Sequence, residues 1–179
     1  MSVLKVISWP DKRLKEISKP VENIDSETQK FMDDMLETMY SYQGIGLAAV
    51  QVGILKRIIV IDVGHPSSRY AEGKNSKDSS NPIFIINPEI SDSSETKSTY
   101  NEGCLSFPGQ YAKVIRPEEI TINYLDYHGK KQTLTAKGLL ATCIQHEIDH
   151  LNGTVFIDHI SNLKRKMIAK RLEKRNKYN

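Results

Sequence analysis

One short run in the last third constrains the fold of this chain more than any other feature: His146-Glu147-Ile148-Asp149-His150. It lies in a stretch whose apolar residues, Leu139, Leu140, Cys143, Ile144 and Leu151, recur at helical spacing. Thr135 is the expected N-cap and Asn152-Gly153 the expected stop. Residues four apart on a helix lie one above the other, so both imidazoles can reach one ion. The run reads H-E-x-x-H, in which the glutamate beside the first ligand can address a water at that ion. The bland alternative is an amphipathic helix with two incidental histidines and a solvated Glu147. It is disfavoured because the helix itself reads as buried.

Two imidazoles leave a tetrahedral ion short of a protein ligand, and the third ligand decides the class of chemistry. The extended protease pattern H-E-x-x-H-x-x-G-x-x-H is nearly present: Gly153 is in place, but Phe156 occupies the last ligand position and cannot coordinate. A downstream glutamate is the other protease option, and Glu173, which alone qualifies, lies in a basic tail. Cys143 shares the helix face of His146 yet precedes His150 by seven residues, about 10.5 Å of helix rise. A thiol does not span that gap while His146 also binds, so Cys143 is read as a wall of the pocket. Cys104, on a separate segment, can approach from the side. Taken alone it would read as a small buried hydrophobe; only the missing third ligand favours coordination.

The rest of the chain reads as helix, several strands, then helices. Asp25-Ser26-Glu27-Thr28-Gln29 predicts a helix start with Ser26 and Gln29 as a capping box. Phe31, Met32, Met35, Leu36 and Met39 carry that helix to about Tyr42, where Gln43-Gly44-Ile45-Gly46 breaks it. Ile58-Ile59-Val60-Ile61 reads as a buried strand, and residues 83–86 as another, ended by Asn87-Pro88. Val114-Ile115 and residues 120–125 are further strands, with Tyr127-His128-Gly129-Lys130 as a hairpin turn. Residues 64–82 are polar and aperiodic, a surface loop. The expected fold class is α+β: antiparallel sheets packed around a central H-E-x-x-H helix, with an N-terminal helix and a basic C-terminal helix over about 162–177. A chain of 179 residues is expected to form one domain, 1–179.

Composition narrows the setting. Hydrophobic residues at 39% and charged residues at 26% place the chain among globular proteins. No apolar run approaches bilayer length, and the first residues lack the pattern of a secretory signal. Two cysteines are too few for a disulfide framework, which predicts a reducing compartment. Residues 163–179 hold eight Lys/Arg against one Glu, so 1–162, with 17 basic and 21 acidic residues, is mildly acidic.

Three segments, Gly44-Ile45-Gly46-Leu47-Ala48-Ala49-Val50-Gln51, Glu102-Gly103-Cys104-Leu105-Ser106 and Gln145-His146-Glu147-Ile148-Asp149-His150, resemble in order and approximate spacing the three signature motifs of peptide deformylases. The resemblance extends from about Val3 to the C-terminus, and the Cys-Leu-Ser wording and basic C-terminal helix look like the type 1, bacterial-like branch. It implies a hydrolase that removes the formyl group from the N-terminal formylmethionine of newly made proteins and releases formate. It also implies one divalent ion, Fe2+ in the cell with Zn2+, Ni2+ or Co2+ as substitutes, held by Cys104, His146 and His150. Water activated by that ion would attack the formyl carbon, with Glu147 as general acid and base. The Gln51 side chain and the Leu105 backbone N–H would stabilise the charge on the formyl oxygen. The implied partners are N-formylmethionyl nascent peptides and, through the basic C-terminal helix, the ribosome. No membrane is involved; a monomer in the bacterial cytoplasm is expected.

Helix geometry puts Leu139, Thr142 and Cys143 on or near the face of His146, and with Ile45 they are expected to hold the methionine side chain, with core packing as the rival for all but Cys143. Gly46 and Gly103 are expected to contact the substrate, the segment at Gly44 and Gly46 as a backbone edge that pairs with it; turn punctuation is the alternative. Two departures from the family pattern, Asn101 for an acidic residue and Tyr111 for an arginine, bear on fine specificity. Glu102 and Arg116 are read as a surface charge pair of little consequence, in preference to a brace for the Cys104 segment. His65, His128 and His159 are read as loop residues.

Overall fold

A computed structural model describes residues 2–65 and 80–176. Most of the expected 64–82 loop, residues 66–79, lies outside the described residues. The elements are α1 (Ser26–Ser41), β1 (Gly46–Ala48), β2 (Ile58–Ile61), β3 (Ile83–Ser93), β4 (Lys97–Cys104), β5 (Phe107–Pro117), β6 (Glu119–Leu125), β7 (Lys131–Lys137), α2 (Gly138–Leu151) and α3 (Asn162–Asn176). Five strands form one antiparallel sheet in the order β1-β2-β3-β6-β7, and β4 and β5 form a separate two-stranded sheet. This is the expected α+β arrangement.

Alternation along the strands decides which helix covers which face. In β2 all four residues are buried, because the sheet is covered on both sides. Ile59 and Ile61 join Ile85, Ile120, Ile122, Ile144 and Ile148 under α2. Ile58 and Val60 join Met32, Met35 and Met39 under α1. A third cluster, with Phe107, Val114, Val155, Phe156, Ile168 and Leu172, packs the β4–β5 hairpin against α3 and the 3-10 turn Phe156–His159. The helix α2 contacts β1 and β2 as well as β4 and β5, so it runs between the two sheets. Its residues 141–148 are all buried.

Several local expectations change. The N-cap of α1 is Asp25, whose Oδ1 accepts from the Thr28 N–H at 2.8 Å, not Ser26. Gln29 donates instead to the Tyr127 carbonyl, so there is no capping box with Ser26. Thr135 belongs to β7, opposite Thr121, and α2 starts three residues later at Gly138, whose φ of +59° makes the strand-to-helix corner. Asn87-Pro88 does not end β3. It forms a bulge, with Asn87 at φ +51°, and pairing with β6 continues to Ser93. The expected buried strand β2, the turn at Gly129, the stop at Asn152-Gly153 and a helix from Asn162 all appear. Strands β4 and β7 were not legible in the sequence: both are rich in polar residues.

Candidate metal centre and cleft

The buried helix α2 presents His146 and His150, and β4 ends at Cys104 alongside them. One ligand atom from each lies within 4.8 Å of the others, and Cys104 Sγ is 3.2 Å from His150 Nε2. Among the described residues this is the one His/Cys/Asp/Glu group gathered in this way. Cys143 is also buried, but its Sγ faces the Ile45 carbonyl at 3.6 Å. Neither cysteine is in a disulfide. Phe156, at the position where an extended protease pattern needs a ligand, is fully buried and stacks on the His146 ring with centroids 6.1 Å apart.

Electrostatics around the triad favour a cation. His146 Nδ1 bonds Glu102 Oε2 at 2.8 Å, which leaves Nε2 for the centre of the group. Burial works against a charged His146, but hydrogen bonds from its ring to the Cys104 sulfur and the Glu102 carboxylate outweigh it and hold its pKa well above the ordinary value. Burial, followed by the positive charge of His146, pushes His150 well below its ordinary value. A positive charge is thus already accommodated among these groups, and a divalent ion would take the place of a proton there. Among the described residues His150 Nδ1 is buried with no hydrogen-bond partner, while Nε2 is the ring atom turned toward Cys104 Sγ. One thiolate and two imidazoles suit a borderline-soft divalent metal, and the residues present fit such an ion.

Glu102 is the residue whose role the sequence understated. It is 4% exposed, and its carboxylate accepts from Arg116 Nε at 2.6 Å and Nη2 at 3.0 Å as well as contacting His146. Arg116 also donates through Nη1 to Asp149 Oδ2 at 2.8 Å. The pair is therefore a buried brace between β4, β5 and α2 rather than a surface contact. Burial alone would raise the Glu102 carboxyl; His146 and Arg116 reverse that and lower it. His159 is likewise not an idle loop residue, because its Nε2 is 2.7 Å from Asp149 Oδ2.

Glu147 is 4% exposed and stands directly against β1. A Cβ on Gly46 would meet Glu147 Oε1 at 2.6 Å and Cys143 Sγ at 2.7 Å, so only glycine lets the strand come this close. Gln51, in the 3-10 turn Ala49–Val52, is oriented from behind: its Oε1 accepts from the Ala48 N–H at 2.8 Å. That fixes Nε2 as the forward donor, 3.4 Å from Cys104 Sγ and 3.3 Å from Ser106 Oγ.

A cleft with about 470 Å³ of empty space, part of it open to solvent, lies beside these groups. Ile45, Gly46, Gly103, Leu139, Thr142 and Cys143 line it together with Gln51, Cys104, Leu105, His146 and Glu147. Every residue expected at the site therefore borders the cleft except His150, whose Nε2 is 3.2 Å from Cys104 Sγ. Tyr100 and Glu102 also line it, and so does Asn101. Tyr100 had no signal in the sequence beyond its place four residues before Cys104.

Comparison with known proteins agrees with this geometry. The family model described as Polypeptide deformylase matches residues 3–166. A peptide deformylase of Pelagibacter ubique is 51% identical over 97% of this chain and 95% of its own, and one of Rickettsia akari is 53% identical over 97% of both. Among solved structures, a peptide deformylase from Ehrlichia chaffeensis in complex with actinonin superposes with a TM-score of 0.88 at 47% identity, covering 98% of each chain. One from Thermotoga maritima gives 0.80 at 36% identity, over 90% of this chain and 99% of that one. Kinship across nearly the whole length joins what the cleft suggests, and the chain belongs to the polypeptide deformylase family of enzymes.

Proposed function

We propose that this enzyme removes the formyl group from the N-terminal formylmethionine of newly made proteins, releasing formate, and that a divalent ion held by Cys104, His146 and His150 is required. The observation that carries the metal requirement is the gathering of those three ligand atoms within 4.8 Å beside the buried Glu147. Such an ion supplies Lewis acidity to the attacking water and the formyl oxygen. Fe2+ is the ion assigned in the cell, with Zn2+, Ni2+ or Co2+ as substitutes, since thiolate and imidazole donors suit all four.

The chain's own residues divide the remaining work. Glu147 accepts a proton from the attacking water and passes it to the departing amine. Gln51 Nε2 and the Leu105 backbone N–H donate to the formyl oxygen as negative charge develops there. The methionine side chain sits against Ile45, Leu139, Thr142 and Cys143. Among the described residues strand β1 pairs only with β2, so its other edge is available for the substrate backbone, which runs past Gly46 toward Gly103 as an added strand.

Formate release from formyl-Met-Ala-Ser, followed anaerobically with metal content measured on the same sample, tests this reading. Glu147→Ala is expected to keep the ion and lose activity by at least about 100-fold. Retained activity would remove Glu147 from the mechanism, and absence of formate from the native protein would remove the function.

The basic α3 supports a further part of this reading, docking at the ribosome. Ile168 and Leu172 bury one side of the helix, while Lys164, Arg165, Lys166, Lys170, Arg171 and Lys174 stay exposed. Reversing Lys166, Lys170 and Lys174 to Glu is expected to weaken co-sedimentation with ribosomes at low salt. Unchanged binding would exclude the helix.

A further inference from the structure

Asp149 occupies one of the unspecified positions of H-E-x-x-H, yet its Oδ2 accepts from two donors, Arg116 Nη1 at 2.8 Å and His159 Nε2 at 2.7 Å. We propose that His159 is a positioning residue for the ion site, acting through Asp149 and Arg116 on Glu102 and, through Glu102, on His146. This rests on the Cys104-His146-His150 reading above.

Five side chains from four elements of the fold form one unbroken path: His159 in the 3-10 turn, Asp149 and His146 on α2, Arg116 on β5 and Glu102 on β4. Arg116 is the link that ties a strand to a helix, because one guanidinium holds Glu102 through Nε and Nη2 and Asp149 through Nη1. Cys104 lies two residues beyond Glu102 on the same strand. The contacts that hold Glu102 over His146 therefore also set how far the Cys104 sulfur stands from His150.

The path is weakest at its outer end. The side chains of Glu102, Arg116 and His146 are 5–8% exposed, whereas Asp149 is 22% exposed and His159 35%. Two carboxylates share one guanidinium, so Asp149 needs a second donor. An ionised carboxylate only accepts, so the His159 Nε2 carries the hydrogen in this contact. Without that donor Asp149 is open to water on one side, and Arg116 loses a fixed partner on the helix that carries both histidine ligands.

The test uses cobalt-loaded full-length protein and follows cobalt release into excess EDTA through its visible absorption. Replacing a direct partner of a ligating histidine costs about 10- to 100-fold in metal affinity, and His159 acts at a distance, so His159→Phe is expected to speed release by about 3- to 10-fold. His159→Gln, whose amide can still donate, is expected to return the rate to within about twofold of native, and kcat of the fully loaded Phe variant to stay within about twofold. Release from the Phe variant at the native rate, or equal acceleration by Phe and Gln, overturns the proposal. If the Phe variant does not fold, His159→Asn replaces it, its amide being too short to reach Asp149, and the same two outcomes decide. Native protein that takes up no cobalt at a thiolate-imidazole site defeats the triad reading instead.

Discussion

Gly46→Ala separates the chemistry of the cleft from the stability of the fold. The added methyl would stand 2.6 Å from Glu147 Oε1, 2.7 Å from Cys143 Sγ and 3.0 Å from Glu147 Cδ. Restoring an ordinary contact moves the carboxylate oxygen by roughly 1 Å. The backbone at Gly46 is not in the left-handed region, so alanine meets no dihedral strain there. The obstructions are the ends of two side chains, the Glu147 carboxylate and the Cys143 thiol, not backbone, and restricting the unfolded chain offsets them by about 0.4–1 kcal/mol. The net stability change is therefore expected within about 1 kcal/mol. The proposed general acid and base, however, has been moved, and a misplacement of about 1 Å costs on the order of 100-fold in rate. That corresponds to about 2.7 kcal/mol of transition-state stabilisation. Formate release from formyl-Met-Ala-Ser, measured with matched metal content and alongside a thermal melt, reads both quantities. Activity within threefold of native, with an unchanged melting temperature, would refute the claim that β1 holds Glu147 in place. A collapse of stability matching the loss of activity would refute it equally.

Other consequences are as direct. Arg116→Met leaves Glu102 and Asp149 without their shared cation, and breaking a buried pair in this way is expected to destabilise the protein by about 3–5 kcal/mol in urea denaturation. Gly153 has φ +70°, and a Cβ there would lie 2.5 Å from the Lys15 carbonyl oxygen, a backbone atom that cannot move aside; Gly153→Ala is expected to cost at least about 2 kcal/mol. Asp62 is buried, and although burial raises its pKa, hydrogen bonds from Ser80, Tyr40 and the Asn81 and Gly64 N–H groups lower it overall. Its contribution is full above the unfolded carboxyl pKa of about 3.9 and disappears as pH falls through the lower folded value, so Asp62→Asn is expected to flatten the acid limb of a stability-pH curve. An unchanged acid limb would mean that Asp62 does not clamp the chain at Gly64 and Asn81.

The helix α2, its two imidazoles and Glu147 could be read from the letters because their geometry is local: a 3.6-residue period places positions four apart on one face wherever the helix lies. Strand β2 was equally plain, since burial on both faces demands an unbroken apolar run. The strand carrying Cys104 was not, because β4 reads Lys-Ser-Thr-Tyr-Asn-Glu-Gly-Cys and shows no apolar alternation. Its partner β5, more than its own residues, makes it a strand. The same holds for the brace. Glu102 and Arg116 are 14 residues apart and Glu102 and His146 are 44 apart, and charged residues at such separations usually remain in water. Their burial depends on where the hairpin docks against α2. Periodicity has no information on that docking, which follows from the packing of Phe107, Val114 and Phe156 in a core shared by distant segments.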